Sequence, residues 1–233
     1  MPDSGWIAIA LPLNPSWFVK SQKIMQEELE EYILNHIDPE PEMMRKLNRD
    51  THIYHLYSRM CSGHLQGRML KMFTRMIRPQ RILELGAFTG YSALCFAEGM
   101  PQDAELHTIE IDDEIEDFIL ERFNASPYAD RMHLHIGDAM EIVPTLEGEF
   151  DLVFIDANKR NYVDYYNLVL PRVRKGGFII ADNTLWYGKV TETSTRDPQT
   201  LGILEFNNML AKDTRVEKVI LPLRDGLTLI HKL

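Results

Sequence analysis

The 233-residue sequence is poor in cysteine and in positive charge. Its two cysteines, Cys61 and Cys95, form no C-x-x-C pair, so no cysteine metal motif is indicated. Nothing requires a disulfide, and we therefore expect a reducing, cytoplasmic compartment. The net charge is −10, which argues against a nucleic-acid or anionic-membrane partner because both select a basic face. An acidic, water-exposed surface is the simpler interpretation.

The N-terminal segment lacks the features of a targeting sequence. The run Trp6–Leu13 is apolar, but no cationic segment precedes it and it is too short to cross a bilayer. We expect neither a signal peptide nor a membrane helix. Residues 1–24 differ in pattern from the rest of the chain, and Met25 precedes a helical pattern. We therefore predict an N-terminal extension over residues 1–24, with translation able to begin at Met25, and one domain over residues 25–233.

From Arg81 onward, short apolar runs alternate with helical patterns. This alternation predicts a parallel sheet covered by helices on both faces. The predicted strands are Arg81–Leu85, Glu105–Ile109, Arg131–Ile136, Phe150–Ile155 and Gly177–Ala181. The predicted helices between and after them are Tyr91–Ala97, Asp113–Phe123, Ala139–Leu146, Tyr162–Leu170 and Thr200–Leu210.

The two ends of the chain differ from this alternating region. Three helices are predicted before the first strand, over Gln26–His36, Pro41–Thr51 and Gly63–Ile77. At the other end, Asp225-Gly226 lies between the β runs Val216–Leu221 and Leu227–Ile230, which is typical of a hairpin. The expected fold is α/β: a Rossmann-like, doubly wound, mostly parallel sheet with a C-terminal antiparallel hairpin and N-terminal cap helices.

The ends of the first three strands suggest a nucleoside site. Ile82–Gly90 reads as a strand, a glycine turn and a helix start, but it lacks the G-x-G-x-x-G spacing of dinucleotide enzymes. Glu110 follows the second strand, where a carboxylate suits a ribose diol. Asp138 and Ala139 follow the third strand, where an adenine ring fits. Each feature alone also suits an ordinary turn or a solvated acid, whereas together they favour a nucleoside ligand.

The ends of the fourth and fifth strands suggest a metal site. Asp156, Asp182 and Asn183 offer oxygen ligands, which suit Mg²⁺ first, with Ca²⁺ or Mn²⁺ as alternatives. Helix capping by Asp182-Asn183 and an Asp156–Lys159 ion pair remain open as structural alternatives. The histidines predict no rival metal site, because the pairs His52/His55 and His133/His135 have no third partner at ligand spacing.

Several motifs resemble one enzyme family. They are E-L-G-A-F-T-G-Y-S (Glu84–Ser92), S-G-H-L-Q-G-R (Ser62–Arg68), I-E-I-D (Ile109–Asp112), F-I-D-A-N-K-R-N-Y (Phe154–Tyr162) and A-D-N-T-L-W-Y-G-K-V (Ala181–Val190). From about Met25 to the C-terminus, the chain resembles the class I S-adenosylmethionine (SAM) methyltransferases. Among these it is similar to the metal-dependent caffeoyl-CoA and catechol O-methyltransferases. The resemblance implies a homodimeric enzyme that takes SAM, a divalent metal and a small phenolic substrate.

The same resemblance implies roles for individual residues. Asp156, Asp182 and Asn183 are expected to hold the metal, and Lys159 matches the position of a general base, with Asp156 as the second catalytic residue. Asn158 and Pro222 depart from the family pattern, which leaves the exact substrate open. The expected cofactor contacts come from Met60, Ser62, Gly67, Glu84, Gly86, Ser92, Glu110, Asp138, Ala139 and Asp156.

The expected chemistry is methyl transfer from a sulfonium to a phenolate. Lys159 serves as the base, or is a surface lysine in the first turn of a helix. Trp186 and Tyr187 form an aromatic wall beside the substrate, or are packing residues. Two other function classes compete with this one: an NAD-dependent oxidoreductase, weakened by the missing glycine motif, and a non-catalytic nucleoside-binding domain. A nucleic-acid methyltransferase is disfavoured by the acidic charge and by the lack of an N/D-P-P-Y/F motif.

Overall fold

The computed structural model describes residues 28–192 and 194–233, which fall into two compact units. One unit ends at Pro39, and residues 28–36 within it are helical (α1). The other runs from Glu40 to Leu233 and contains the sheet and the helices that cover it. The predicted extension over residues 1–24, the start at Met25 and the first two residues of the first predicted helix lie outside the described residues. The single domain over residues 25–233 stays a prediction.

The larger unit is built on a seven-stranded sheet in the order β3-β2-β1-β4-β5-β7-β6. The first five strands run parallel to one another, whereas β7 runs antiparallel to both β5 and β6. The predicted parallel sheet with an antiparallel C-terminal hairpin is therefore confirmed. The strands are β1 Arg81–Leu85, β2 Glu105–Glu110, β3 Met132–Ile136, β4 Phe150–Ile155, β5 Val173–Asp182, β6 Val216–Leu221 and β7 Leu227–Lys232.

Helices cover both faces of this sheet. Successive side chains of a strand point to opposite faces, so Ile82 of β1 packs in one apolar cluster with residues of α2 to α5, and Leu83 packs in the other with residues of α7 and α8. The predicted doubly wound arrangement follows from this alternation. The helices are α2 Glu42–Tyr54, α3 Gly63–Ile77, α4 Tyr91–Gly99, α5 Glu116–Asn124, α6 Ala139–Ile142, α7 Tyr162–Val169 and α8 Pro198–Lys212.

The largest differences from the predicted bounds are at α6 and β5. The helix expected over Ala139–Leu146 stops being α-helical at Ile142 and continues as a 3₁₀ turn over Val143–Thr145, because Pro144 has no N–H for an α-helical bond. Strand β5 begins at Val173, not at Gly177, since Val173 already pairs with Phe150 before a register shift. Charged residues and glycines at the start of β5 interrupt the hydrophobic pattern, so the pattern does not predict this part of the strand.

Two sets of hydrogen bonds fasten α2 and α3 to the end of the sheet that carries the predicted site. The hydroxyl of Thr51, near the end of α2, donates to the Thr89 hydroxyl in the glycine turn at 2.9 Å. Arg224, in the loop before β7, donates to the carbonyl oxygens of Cys61 and Ser62 just ahead of α3. Within the described part of the chain, no helix is long and apolar enough to cross a bilayer.

Candidate active site

The carboxyl ends of β1 to β5 open into one cleft of about 1710 Å³. Pockets for a single small ligand occupy roughly 300–1,000 Å³, so this cleft has room for two ligands side by side. Two predicted site residues, Gly67 and Glu84, are not on the wall of the cleft. The predicted residues that do line it are Met60, Ser62, Gly86, Ser92, Glu110, Asp138, Ala139, Asp156, Lys159, Asp182 and Asn183.

The glycine turn after β1 brings the backbone of Gly86 close to the backbone of Asp156. Gly86 has φ +97°, and a Cβ at this position would lie 2.2 Å from the backbone oxygen of Asp156 on the adjacent strand end. The amides of Gly86 and Ala87 donate to the Ile109 carbonyl at 2.9 and 3.1 Å, which fixes the turn. Ser92 lies in the first turn of α4, where backbone N–H groups have no partner within the helix. A carboxylate or another anion fits this position.

Glu110 is held rigidly at the end of β2. Its Oε2 accepts from the Phe88 amide at 2.7 Å, and its Oε1 accepts from the amides of Ile111 and Asp112 at 2.9 and 3.0 Å. The carboxylate is therefore oriented before any ligand arrives. At the end of β3, Asp138 caps α6 by accepting from the Met140 amide at 2.8 Å. Asp138 thus has a structural task as well as a place on the cleft wall.

Gly67 is part of α3, on the side that packs against α4. A Cβ on Gly67 would come within 2.7 Å of Cys95 Sγ and within 2.9 Å of the Tyr91 ring. The residue therefore allows α3 to pack closely against α4, which no local sequence pattern revealed. Cys95, a free and buried thiol, fills this contact as a small apolar side chain.

Glu84 lies below the floor of the cleft and is completely buried. It accepts a hydrogen bond from the hydroxyl of Thr108, its partner across β1 and β2. Burial raises the pKa of the Glu84 carboxyl to about 7, and hydrogen bonds from Ser92 and Thr108 offset this only in part. Because Ser92 is on the cleft wall, Glu84 supports this part of the wall from beneath.

We predict that Glu84→Gln stabilises the apo-protein at alkaline pH. The folded carboxyl keeps its proton up to about pH 7, whereas the unfolded one loses it near 4.5, so the free energy of unfolding falls as pH rises between these values. The isosteric amide has no proton to lose and avoids this penalty. Relative to wild type, its advantage should grow from pH 5 to pH 8 by up to about 3 kcal/mol. Urea unfolding at several pH values measures it. The exposed Glu116→Gln is the control, and a difference independent of pH for Glu84→Gln would contradict the prediction.

Two carboxylates meet at the ends of β4 and β5. Ile155 and Ala181 pair across these strands, and Asp156 and Asp182 follow them directly. Asp182 is buried; its Oδ2 accepts from Gln66 Nε2 at 2.6 Å and its Oδ1 from the Asn183 amide at 2.7 Å. Burial, and next the charge of Asp156, raises the pKa of Asp182. Such a pair is costly unless a cation neutralises it.

Lys159 is part of the same group. Its Nζ lies 2.6 Å from Asp156 Oδ1 and donates to the Tyr162 hydroxyl at 2.8 Å. Tyr162 is buried, and its hydroxyl donates to the Asp182 carbonyl at 2.9 Å. The Asp156–Lys159 pair considered from the sequence is thus present. One ammonium group faces two carboxylates, so the oxygen-rich region still suits a hard divalent cation.

The loop after β5 contributes aromatic side chains to the cleft. Trp186 and Tyr187 both line the cleft and both have positive φ, 45° and 55°. Asp225 accepts from the Tyr187 amide, and Asp197 accepts from Trp186 Nε1 at 3.4 Å. These bonds hold the loop in its strained conformation. Both residues therefore line the same cleft as Asp182.

The expectation that His133 and His135 have no third partner is wrong. In the β2–β3 pairing, His107 lies opposite His133, and its Nδ1 is 3.0 Å from His135 Nε2. Glu105 on the same strand joins the group, and one donor atom each from Glu105, His107 and His133 lies within 4.8 Å of the others. Burial lowers the pKa of His107 and of His135. The register between two strands, which brings these residues together, cannot be read from either strand alone.

A mostly parallel sheet with a glycine turn after β1 and a clamped carboxylate at the end of β2 is the arrangement expected of a class I SAM-dependent methyltransferase. The family model described as O-methyltransferase matches residues 35–233. The chain therefore belongs to the O-methyltransferase family. Caffeoyl-CoA O-methyltransferase from Stellaria longipes is 31% identical over 228 residues, which cover 92% of this chain and 94% of that protein. Tricin synthase 2 from Oryza sativa subsp. japonica is 35% identical over 235 residues, which cover 94% and 78%.

Solved structures show the same architecture with the cofactor bound. The O-methyltransferase TomG from Streptomyces achromogenes, in complex with SAM, superposes with a TM-score of 0.82 at 29% identity, covering 88% of this chain and 96% of its own. The S-adenosylhomocysteine-bound (SAH-bound) methyltransferase PaMTH1 from Podospora anserina superposes with a TM-score of 0.83 at 28% identity, covering 98% and 99%. The protein is accordingly a SAM-dependent O-methyltransferase of the caffeoyl-CoA type, as the sequence motifs predicted.

We predict that Glu110→Ala weakens cofactor binding. A hydrogen bond to a charged group contributes about 1.5–3 kcal/mol, so the Kd for SAH should rise by roughly 10- to 100-fold. Isothermal titration of SAH measures this change. Glu114→Ala, which removes another carboxylate from the cleft wall, is the matched control. An unchanged Kd for Glu110→Ala would remove the assignment of Glu110 to the ribose.

Proposed function

We propose that the enzyme methylates one hydroxyl of a catechol-type phenol with the help of a divalent cation. The observation that carries this proposal is the pairing of Asp156 and Asp182 at neighbouring strand ends, beside Asn183 and inside a cleft with room for a second ligand. The names of the relatives from Stellaria longipes and Oryza sativa support an aromatic acceptor, since caffeoyl-CoA carries a catechol ring. The cleft contains Trp186 and Tyr187, which suit a flat ring.

The residues around Asp182 fit a hard cation. Asp156, Asp182 and Asn183 supply three oxygen donors, which suit Mg²⁺, with Ca²⁺ or Mn²⁺ as alternatives. When bound, such a cation lowers the pKa of a nearby phenol, while SAM supplies the methyl group as a sulfonium. Gln66 keeps Asp182 in one orientation, because its amide donates to Oδ2 while its Oε1 accepts from Arg224 at 3.1 Å.

The chain's own residues account for orientation and proton handling. The glycine turn and Glu110 fix the cofactor end of the cleft, and the loop of Trp186 and Tyr187 bounds the other side. Lys159 Nζ contacts Asp156 and Tyr162, beside the carboxylates that would hold the cation, and we assign it the phenol proton on that basis. In the structure it holds Asp156, and as the base it would accept that proton at Nζ. Proximity of two oriented reactants contributes the rest of the rate.

Replacement of the lysine tests its assignment as a base. We expect Lys159→Met to lower kcat by about 100-fold or more, in the range of general-base contributions, with little change in the Kd for SAH. The pH–rate profile of the variant should lose the limb that reports the base. Lys175→Met, on the exposed start of β5, is the control. A wild-type rate for Lys159→Met across the pH range would exclude a role as base.

One screen tests the proposed activity directly. Purified enzyme is assayed with SAM and a panel of phenols, each offered as a vicinal diol and as its single-hydroxyl analogue, with Mg²⁺ or with EDTA. The proposal expects methylation of vicinal diols only, restored by Mg²⁺, Ca²⁺ or Mn²⁺ after chelation. Equal turnover of single-hydroxyl phenols in EDTA would contradict both the substrate class and the role of the cation.

We further propose that the enzyme works in the cytoplasm as a homodimer on small molecules, without nucleic-acid or membrane partners. The two buried, free thiols Cys61 and Cys95 suit a reducing compartment. Light scattering coupled to size exclusion measures the mass, and a monomer at micromolar concentration would contradict the dimer.

A further inference from the structure

Histidine and carboxylate side chains form a second group far from the cleft. Glu105 and His107 belong to the first half of β2, and His133 and His135 belong to β3. On the cleft, Glu110 is three residues beyond His107 and five beyond Glu105 along β2, which is roughly 10 to 16 Å at the rise of an extended strand. The group is therefore separate from the oxygen donors Asp156 and Asp182 and from the cofactor region.

The donor atoms are spaced as ligands of one ion. His107 Nε2 lies 3.3 Å from Glu105 Oε1, and His133 Nε2 lies 3.8 Å from Glu105 Oε2. One donor atom from each of the three residues lies within 4.8 Å of the others. Ligand atoms about 2.0–2.1 Å from a tetrahedral Zn²⁺ are roughly 3.4 Å apart, so small side-chain rotations bring the three atoms to ligand spacing. The side chain of His133 is 43% exposed, so an ion can enter from solvent. Two histidines and one carboxylate leave the fourth position for water.

Groups that can donate and accept surround the central histidine. Arg81 Nη2, which can only donate, lies 3.4 Å from His107 Nε2, and Glu105 Oε1, which can only accept, lies 3.3 Å from the same atom. In the tautomer that binds a metal through Nε2, Nδ1 carries the proton and donates to His135 Nε2 at 3.0 Å. In protein metal sites, a histidine ligand usually donates its other ring N–H to a neighbouring group, which fixes the orientation of the ring.

Arg81 is the nearest competing cation. Its Nε donates to Glu105 Oε1 at 2.6 Å, whereas Oε2 is the carboxylate oxygen on the His133 side. Its Nη1 also donates to the carbonyl oxygens of Glu147 and Glu149, at 2.5 and 3.3 Å. An ion bound through Oε2 of Glu105 displaces only the 3.4 Å contact between Arg81 Nη2 and His107 Nε2. Arg81 keeps its hydrogen bonds to Glu105 Oε1 and to the carbonyl oxygens of Glu147 and Glu149.

We propose that Glu105, His107 and His133 bind one borderline divalent cation of the Zn²⁺ class, with His135 as a positioning residue. Imidazole nitrogens suit Zn²⁺, Ni²⁺ and Cu²⁺, whereas Mg²⁺ prefers oxygen donors. The bound ion joins β2 to the outer strand β3 and stabilises that side of the sheet. This site is independent of methyl transfer, and it does not depend on the proposed substrate or on the cation at Asp182.

The test is a titration of the full chain, free of any histidine tag and treated with chelator, with Zn²⁺ alone. Wild type should bind one Zn²⁺ at this site, and the Asp156→Asn/Asp182→Asn double variant should bind it equally well. His107→Gln and His133→Gln should each weaken binding at least tenfold, and His135→Phe should weaken it about 10- to 100-fold. Mg²⁺ should not compete. His52→Gln, an exposed histidine on α2, is the matched control and should bind as wild type does.

Thermal unfolding gives a second readout that also reports folding. Zn²⁺ should raise the Tm of wild type and of His52→Gln, but not that of His107→Gln or His133→Gln. The variants should show a cooperative transition without metal, and His133→Gln, the more exposed site, remains informative if His107→Gln does not fold. Zn²⁺ affinity that is unchanged in both variants, or lost in the Asp156→Asn/Asp182→Asn protein, would overturn the proposal.

Discussion

Asp182→Asn is expected to abolish cation-dependent methylation while leaving a protein as stable as wild type or more stable. The asparagine keeps the volume and one oxygen that accepts from Gln66, and it gives up the bond from the Asn183 amide. In exchange it removes a buried carboxylate whose pKa is raised by burial and by Asp156. Removing that charge relieves the repulsion in the apo-protein. The same charge is what a cation needs, so function and stability should move in opposite directions.

The expected loss is large. A cation that stabilises a developing phenolate contributes several kcal/mol, so kcat/KM at saturating Mg²⁺ should fall by about 1,000-fold or more. Initial rates with a catechol substrate and urea unfolding of the same preparation measure the two effects. Asp156→Asn should lose activity similarly.

Asp164→Asn, an exposed carboxylate on α7, is the matched control and should behave as wild type does. Activity of Asp182→Asn that equals wild type, and that persists in EDTA, would refute the cation proposal. A loss of activity together with a loss of cooperative unfolding would point to a structural role for Asp182.

Gly86→Ala should damage stability and cofactor binding together. A Cβ at this position would lie 2.2 Å from the Asp156 carbonyl oxygen, and φ is +97°. The backbones of Gly86 and Asp156 cannot move apart without separating the ends of β1 and β4. Such a movement would also displace Asp156, which directly follows β4. Left-handed backbone costs an alanine about 1–2 kcal/mol and a core shift about 1–3 kcal/mol, so we expect about 3 kcal/mol in total.

Gly188→Ala separates the two causes. Gly188 has φ +76°, but nothing lies within 4 Å of its Cβ position, so only the backbone cost should apply to it. Urea unfolding compares the two variants, and titration of SAH reports the cofactor region. If Gly86→Ala is as stable as Gly188→Ala and binds SAH normally, the close approach at Gly86 is not needed.

Local chemistry in the sequence was sufficient to identify the fold class and the strand ends that line the cleft. The apolar runs predicted that Asp156 and Asp182 follow neighbouring strands, and Asp225-Gly226 predicted the β6–β7 hairpin. These features depend on side-chain periodicity and turn geometry, which neighbouring residues determine. The glycine turn at Gly86 likewise depends on the residues next to it in sequence.

Long-range packing decided the rest. Gln66 donates to Asp182 across 116 positions of sequence, Gly67 serves the contact between α3 and α4, and His107 meets His133 only through the β2–β3 register. No local period encodes which strand lies beside which, or which helix side chain reaches a strand end. Such contacts form only when distant segments are buried together, because the free energy that selects them comes from the packed core as a whole.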